Sequence, residues 1–187
     1  MTFLLRISIL LLIGFNLVEA KEFVIDTTKA NTAIFFGKIT LGTLSGETSR
    51  IAGYVRWNND DTTRGEVLVR VDLGSLDTGI GLRNKHMREK YLETDKFPFA
   101  EFRGRINDWK SSSNGLDKVR VKGTMKIHGI EKPFEQVVTV VKRENGLRVS
   151  TLFKLNILDF NIQQPRYLVV SMNPEVTVRA VFYLKEK

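Results

Sequence analysis

Residues 65–73, GEVLVRVDL, alternate throughout except at Leu68. Val67, Val69 and Val71 fall on one side, Glu66, Arg70 and Asp72 on the other. Side chains along a strand change face at every residue, so this is a β-strand with one face buried and one in water. The pattern continues outward in both directions. Upstream, Ser49–Trp57 (SRIAGYVRW) sets Ile51, Gly53 and Val55 against Tyr54, and Asn58–Asp61 reads as the intervening turn. Gly42, Gly46 and the Thr and Ser between them read as another turn. Before that, Asn31–Thr40 (NTAIFFGKIT) is a strand rich in β-branched and aromatic residues, preceded by a short one at Glu22–Ile25.

Downstream, Phe99–Ile106 resumes as strand and Asn107–Gly115 reads as a polar loop. Lys118–His128 alternates Val119, Val121, Met125 and Ile127 with Arg120, Lys122, Thr124 and Lys126, and Gly129–Lys132 turns the chain. Phe134–Val141 follows, then Glu144-Asn145-Gly146, a hairpin signal because Asn-Gly tolerates positive φ at both central positions. Leu147–Ile157 aligns Val149, Thr151, Phe153, Leu155 and Ile157, and Glu175–Leu184 aligns Val176, Val178, Ala180, Phe182 and Leu184; Asp159–Pro165 between them is irregular. That makes about eight to ten strands joined mostly by hairpin-sized turns. The expected fold is all-β and antiparallel, a sandwich or, better, a barrel of about eight strands, since closure removes exposed edges.

One long stretch interrupts the strands. Asp77–Phe102 (DTGIGLRNKHMREKYLETDKFPFAEF) predicts a short helical insertion around residues 80–92 that gathers Arg83, His86, Arg88 and Tyr91. Gly79-Ile-Gly81-Leu-Arg-Asn84 imitates the start of a dinucleotide fingerprint but carries Asn84 where the third glycine is needed, and no βαβ unit surrounds it. The two histidines, His86 and His128, have no HExxH or His-x-His context, which argues against a metal site. No Gly-x-Ser-x-Gly elbow occurs, so no catalytic residue is assigned and hydrolase chemistry is not expected.

Composition bounds the rest. A chain of 187 residues with 42% hydrophobic and 27% charged residues suits one domain with a real core. Arg6, the apolar run Ile7–Val18 and the small residues flanking Glu19 read as a secretory signal peptide over residues 1–20, leaving a domain from 21 to 187. The absence of cysteine excludes disulfides, thiolate metal sites and a cysteine nucleophile. An exported chain without disulfides suggests the periplasm. The net charge of +8 is spread along alternating strand positions, the pattern of a solvated face rather than a nucleic-acid surface.

Several strands are apolar on both faces. Phe35 and Phe36 are neighbours, as are Leu152 and Phe153, so one of each pair must point away from the other. Either a second layer covers the outside, or the barrel encloses an elongated apolar cavity.

These residues also carry a resemblance. Thr78-Gly79, Arg83-Asn84-Lys85-His86-Met87, Tyr91-Leu92 and Phe97-Pro98-Phe99 resemble the central signature of the YceI-like family. Lys122–Pro133 (KGTMKIHGIEKP) resembles its second block, and Leu155–Ile162 with Val176-x-Val178 its C-terminal third. Met87 stands where leucine is usual, and Tyr91-Leu92 where a Phe-Phe pair is common.

The resemblance implies a lipocalin-like antiparallel barrel, usually exported, that holds an isoprenoid lipid such as a polyprenyl or quinone-type chain, with no other cofactor. With the inward face chosen by alternation, the candidate channel lining is Phe36, Val67, Val69, Val71, Phe102, Val121, Met125, Phe153, Val178 and Phe182. Arg83, His86 and Tyr91 are candidates for the channel mouth or a lipid headgroup. The expected partner is an amphiphilic lipid, with transient membrane-surface contact and a homodimer left open. Two alternatives stand beside this: a structural or stress-related module with a solid barrel core, and an enzyme acting on the isoprenoid through His86.

Overall fold

The computed structural model describes residues 20–58, 61–167 and 169–187. The signal peptide expected over residues 1–20 therefore lies, but for Ala20, outside the described residues. Among the described residues there are eleven strands: β1 Ala20–Ile25, β2 Thr32–Ile39, β3 Gly42–Thr48, β4 Ile51–Asn58, β5 Asp61–Asp72, β6 Phe99–Lys110, β7 Asp117–Ile127, β8 Ile130–Arg143, β9 Gly146–Asn156, β10 Arg166–Tyr167 and β11 Val170–Glu186. One helix, α1 Gly81–His86, runs into a π-helical turn at Met87–Tyr91, and a 3-10 turn spans Ile157–Phe160.

Antiparallel pairing follows the order β1-β4-β5-β6-β7-β8-β9-β11, and β11 returns to β1, so eight strands close into a barrel. β2 and β3 extend the sheet from the edge of β11, and β10 pairs with the start of β11. Closure depends on β11 changing partners. It pairs with β2 as far as Val181↔Thr32 and with β1 from Leu184↔Ile25 onward. At the changeover the Asn31 side chain stands in for a strand. Its Oδ1 accepts from the Tyr183 N–H at 2.9 Å and its Nδ2 donates to the Asp26 carbonyl at 2.8 Å. Asn31 is among the most buried side chains described, at 2% exposure.

Four local expectations are corrected. Gly42–Thr48 is strand, not turn; the chain has already reversed at Thr40-Leu41, and Gly46 lies flat under the Phe35 ring, where a Cβ would come within 2.4 Å of Cε1. β6 runs on to Lys110 through a bulge after Ile106, because the Trp109 indole N–H donates to the buried Asp117 at 3.0 Å. The β7–β8 turn is His128-Gly129, with φ of 50° and 76°, so β8 starts at Ile130. The β8–β9 turn centres on Glu144-Asn145, and of the two residues of the Asn-Gly pair only Gly146 takes a positive φ.

Candidate ligand-binding cavity

The barrel is floored, walled and lidded. At one end Phe23 stacks on Trp57 with ring centroids 4.8 Å apart, and Trp57 meets Trp109 edge-on at 5.8 Å. At the other end lie α1, the π-helical turn and the Ile157–Phe160 turn. Between them is a cavity of about 1140 Å³, walled mainly by aliphatic and aromatic side chains. That exceeds the usual range of ligand pockets, roughly 300–1,000 Å³. The walls supply the reason. Gly104 and Gly123 face each other across β6 and β7, so neither strand projects a side chain there, and the Phe102 ring lies over Gly104.

Val67, Val69, Val71, Phe102, Val121, Met125, Phe153, Val178 and Phe182 all line this cavity. Phe36 does not. Residues directly opposite in an antiparallel pair share a face. Phe35 pairs with Val178, which faces inward, whereas Phe36 pairs with Thr177. Phe35 is therefore the inner member, and Phe36 lies outside with the Arg179 guanidinium 5.4 Å from its ring centroid. Leu152, at 61% exposure, is likewise the outer neighbour of Phe153. Trp57, Trp109 and Phe134 also line the wall and were not singled out from the sequence. Phe134 and Trp57 could have been found by extending the alternation of their own strands, whereas the bulge after Ile106 turns Trp109 inward against it.

The lid is anchored by its lead-in. Asn84 Oδ1 accepts from the Thr78 N–H at 2.9 Å and the Thr78 hydroxyl at 2.6 Å, and Asn84 Nδ2 donates to Asp77 Oδ1 at 2.7 Å. The side chain that breaks the dinucleotide fingerprint is thus the clamp of the helix start. Arg83 donates from Nε to the Thr78 hydroxyl at 2.8 Å while still lining the cavity. His86, Lys90 and Tyr91 line it beside Arg83, and the Lys90 ammonium sits 5.6 Å from the Tyr91 ring centroid. Ile80 and Leu82 line the cavity yet are 52% and 65% exposed, so the cavity reaches solvent alongside α1. The mouth is cationic and the interior apolar. Such a site has room for a long apolar chain, with donors at its rim for a polar or anionic group.

His128 has a different place from His86. It is buried, with Nδ1 at 3.2 Å from the Phe160 carbonyl and Nε2 at 2.9 Å from Glu93 Oε2, and its ring packs against Phe97. It ties the β7–β8 turn to both lid segments.

The corners that close the ends rely on ionised carboxylates. Asp26 is held below the ordinary aspartate value of 3.8 by the Thr28 hydroxyl and then its N–H. Asp77 is lowered by the Gly79 N–H and then Asn84, and Asp117 by the Ser112 N–H and then Trp109. Glu93 is held below 4.5 by Lys96 and then His128. Depressed folded-state values mean stability is complete above the unfolded values and is lost as pH falls through the folded ones. The melting temperature should stay level from about pH 7 to about pH 5 and fall steeply below about pH 4.5. Thermal melts across that range test this; a midpoint still level at about pH 3 would show that these contacts do not hold the carboxylates down.

A closed antiparallel barrel with a large apolar interior and a polar mouth is the architecture of a small-ligand-binding barrel. The chain belongs to the YceI-like domain family, whose model matches residues 23–183. It is similar to a UPF0312 protein of Vibrio vulnificus, 29% identical over 153 residues covering 77% of this chain and 79% of the relative. A UPF0312 protein of Vibrio campbellii is 32% identical over 132 residues, covering 69% and 66%. Among solved structures, BcnA of Burkholderia cenocepacia superposes with a TM-score of 0.70 at 17% identity, covering 85% of this chain and 98% of that one. A polyisoprenoid binding domain from Saccharophagus degradans, implicated in plant cell wall breakdown, superposes with a TM-score of 0.69 at 16% identity, covering 90% and 100%. At these identities the two structures establish the shared fold.

Proposed function

We propose that this protein is an exported, periplasmic binding protein that sequesters or carries an amphiphilic isoprenoid lipid, its tail in the cavity and its head at the Arg83–His86–Tyr91 mouth. The observation that carries the reading is the cavity of about 1140 Å³ with its nearly continuous apolar wall. The likeness to a polyisoprenoid binding domain supports the choice of ligand class, and the apolar run at Ile7–Val18 supports export. On this reading the protein binds its ligand and does not transform it.

The energetics make a graded prediction. Burying hydrocarbon contributes about 0.8 kcal/mol per methylene, hence on the order of 4 kcal/mol per five-carbon isoprene unit. Association and ordering cost on the order of 4–15 kcal/mol, so one unit does not suffice and several do. Trp57 and Trp109 sit on the cavity wall at the end away from α1, so an arriving tail changes the surroundings of their indoles and with them their fluorescence. Titration with ubiquinones of increasing tail length should give a saturable fluorescence change, with affinity rising per added unit until the cavity is full. Affinity independent of tail length would place the ligand outside the barrel.

A further inference from the structure

Most of the barrel wall is hydrogen-bonded from strand to strand. β7 and β8 pair along the whole of Asp117–Ile127, and β9 and β11 along Leu147–Asn156. Between β8 and β9 the ladder covers only Thr139–Arg143 against Gly146–Ser150. Beyond it, among the described residues, the pairing stops: no residue of Ile130–Val138 is paired with one of Thr151–Asn156.

Side chains alone close this seam. Gln136 Nε2 donates across it to the Leu152 carbonyl at 3.1 Å, and also to the Val137 carbonyl at 3.2 Å. Behind it the Phe134 and Phe153 rings meet edge to face at 5.0 Å. The cavity reaches the seam from within, lined there by Phe134, Gln136, Thr151 and Phe153. On the outside, Val137 and Leu152 are 41% and 61% exposed and give the seam an apolar rim. The Thr151 hydroxyl oxygen, at the head of the seam, is buried without a hydrogen-bond partner among the described residues, a cost that hydration on opening would relieve. Both ends are fixed, one by the Thr139↔Ser150 pair and the other by His128 bound to Phe160 and Glu93. The stretch Phe134–Val138 between them is about 15 Å long at the usual strand rise.

We infer that the β8–β9 seam is a lateral portal: the isoprenoid tail passes sideways through it, with Gln136 as the latch and Phe134–Phe153 as the shutter. This rests on the lipid-binding reading above and adds the route. A tail threaded end-on past α1 must slide by Arg83, His86 and Lys90, each of which prefers water to hydrocarbon. A tail laid in through the seam crosses the Val137–Leu152 rim, where the neighbouring Glu135 and Lys154 are drawn to Arg120 and Glu175, and displaces one glutamine side chain and two rings. Opening any fully paired seam would instead break a run of backbone hydrogen bonds.

The absence of cysteine makes the test clean. Continuing the Thr139↔Ser150 register sets Val137 opposite Leu152, both outside the cavity. The double variant Val137→Cys/Leu152→Cys is closed with a reducible bis-methanethiosulfonate linker, and uptake of a ubiquinone with several isoprene units is followed by stopped-flow tryptophan fluorescence. The linked protein should take up and release the quinone about tenfold more slowly or worse, with the full equilibrium signal, and reductant should restore the rates. Gln136→Ala should raise association and dissociation together, by up to about tenfold, as loss of a hydrogen-bonded latch predicts. Where the linker does not close, that second variant decides. Uptake unchanged by the linker, or slowed by Gln136→Ala, overturns the portal and assigns passage to the opening beside α1. A saturable fluorescence change in the unmodified protein supports the lipid reading separately; its absence would overturn that reading and the portal with it.

Discussion

Val69→Trp will weaken isoprenoid binding by about a hundredfold or more while leaving the melting temperature close to that of the parent. Val69 projects from the middle of β5 into the cavity, between Gly53 of β4, which offers no side chain, and Phe102 of β6. An indole there extends into the cavity, so the wall need not move. In a close-packed core the same substitution forces off-rotamer side chains and costs about 1–3 kcal/mol. Tail binding depends on that same space and should lose most of its hydrocarbon contact. Quinone titration and a thermal melt on one preparation separate the cases. A lowered midpoint with unchanged affinity would mean a barrel packed solid, which is the structural-module alternative.

Asn31→Ala should be the most damaging single truncation for folding. The changeover of β11 from β2 to β1 leaves the Tyr183 N–H without a strand partner, and the Asn31 side chain supplies it. Alanine removes that acceptor and the donor to the Asp26 carbonyl, which keeps only the longer 3.2 Å bond from Lys29. Leaving a buried donor unmade costs about 1–3 kcal/mol, and the packing of a fully buried side chain is lost with it. The expected total, roughly 2–4 kcal/mol, corresponds to a fall of about 5–12 °C in the midpoint for a domain of this size. Differential scanning calorimetry measures it. An unchanged midpoint would show that the three β1–β11 pairs close the barrel without help.

Much of this architecture was legible in the residues, because a barrel with a filled or hollow interior imposes strict alternation on every strand. GEVLVRVDL at 65–73 fixes its inner face unambiguously, and so do Val119–Ile127 and Val176–Leu184; these runs supply most of the cavity wall. Alternation fails where both neighbours are apolar. Choosing Phe35 over Phe36 requires knowing that Val178 lies opposite, and register between strands distant in sequence is not written in either strand alone. The missed β3 and the shortened β6 share another cause. Gly42, Gly46 and the polar run after Ile106 carry turn composition, yet tertiary partners, the Phe35 ring and Asp117, hold them extended.

The site was legible to a similar depth. Arg83, His86 and Tyr91 do share the cavity mouth, which one short helix at that spacing implies. Asn84 was weighed only as a failed glycine. Its role depends on Asp77 and Thr78 folding back to meet it, a loop geometry that no periodicity encodes. The gap between β8 and β9 was invisible for a similar reason. Nothing in either strand shows that they part after Thr139 and Ser150.

The most direct test of the account is mass spectrometry of the protein purified gently, without detergent, from cells that make isoprenoid lipids. The account predicts an intact complex, released on denaturation, whose added mass matches a polyprenyl or quinone-type lipid at about one per chain, and which Val69→Trp abolishes. Protein that carries no lipid as isolated, and that takes up neither quinones nor polyprenols afterwards, would contradict it.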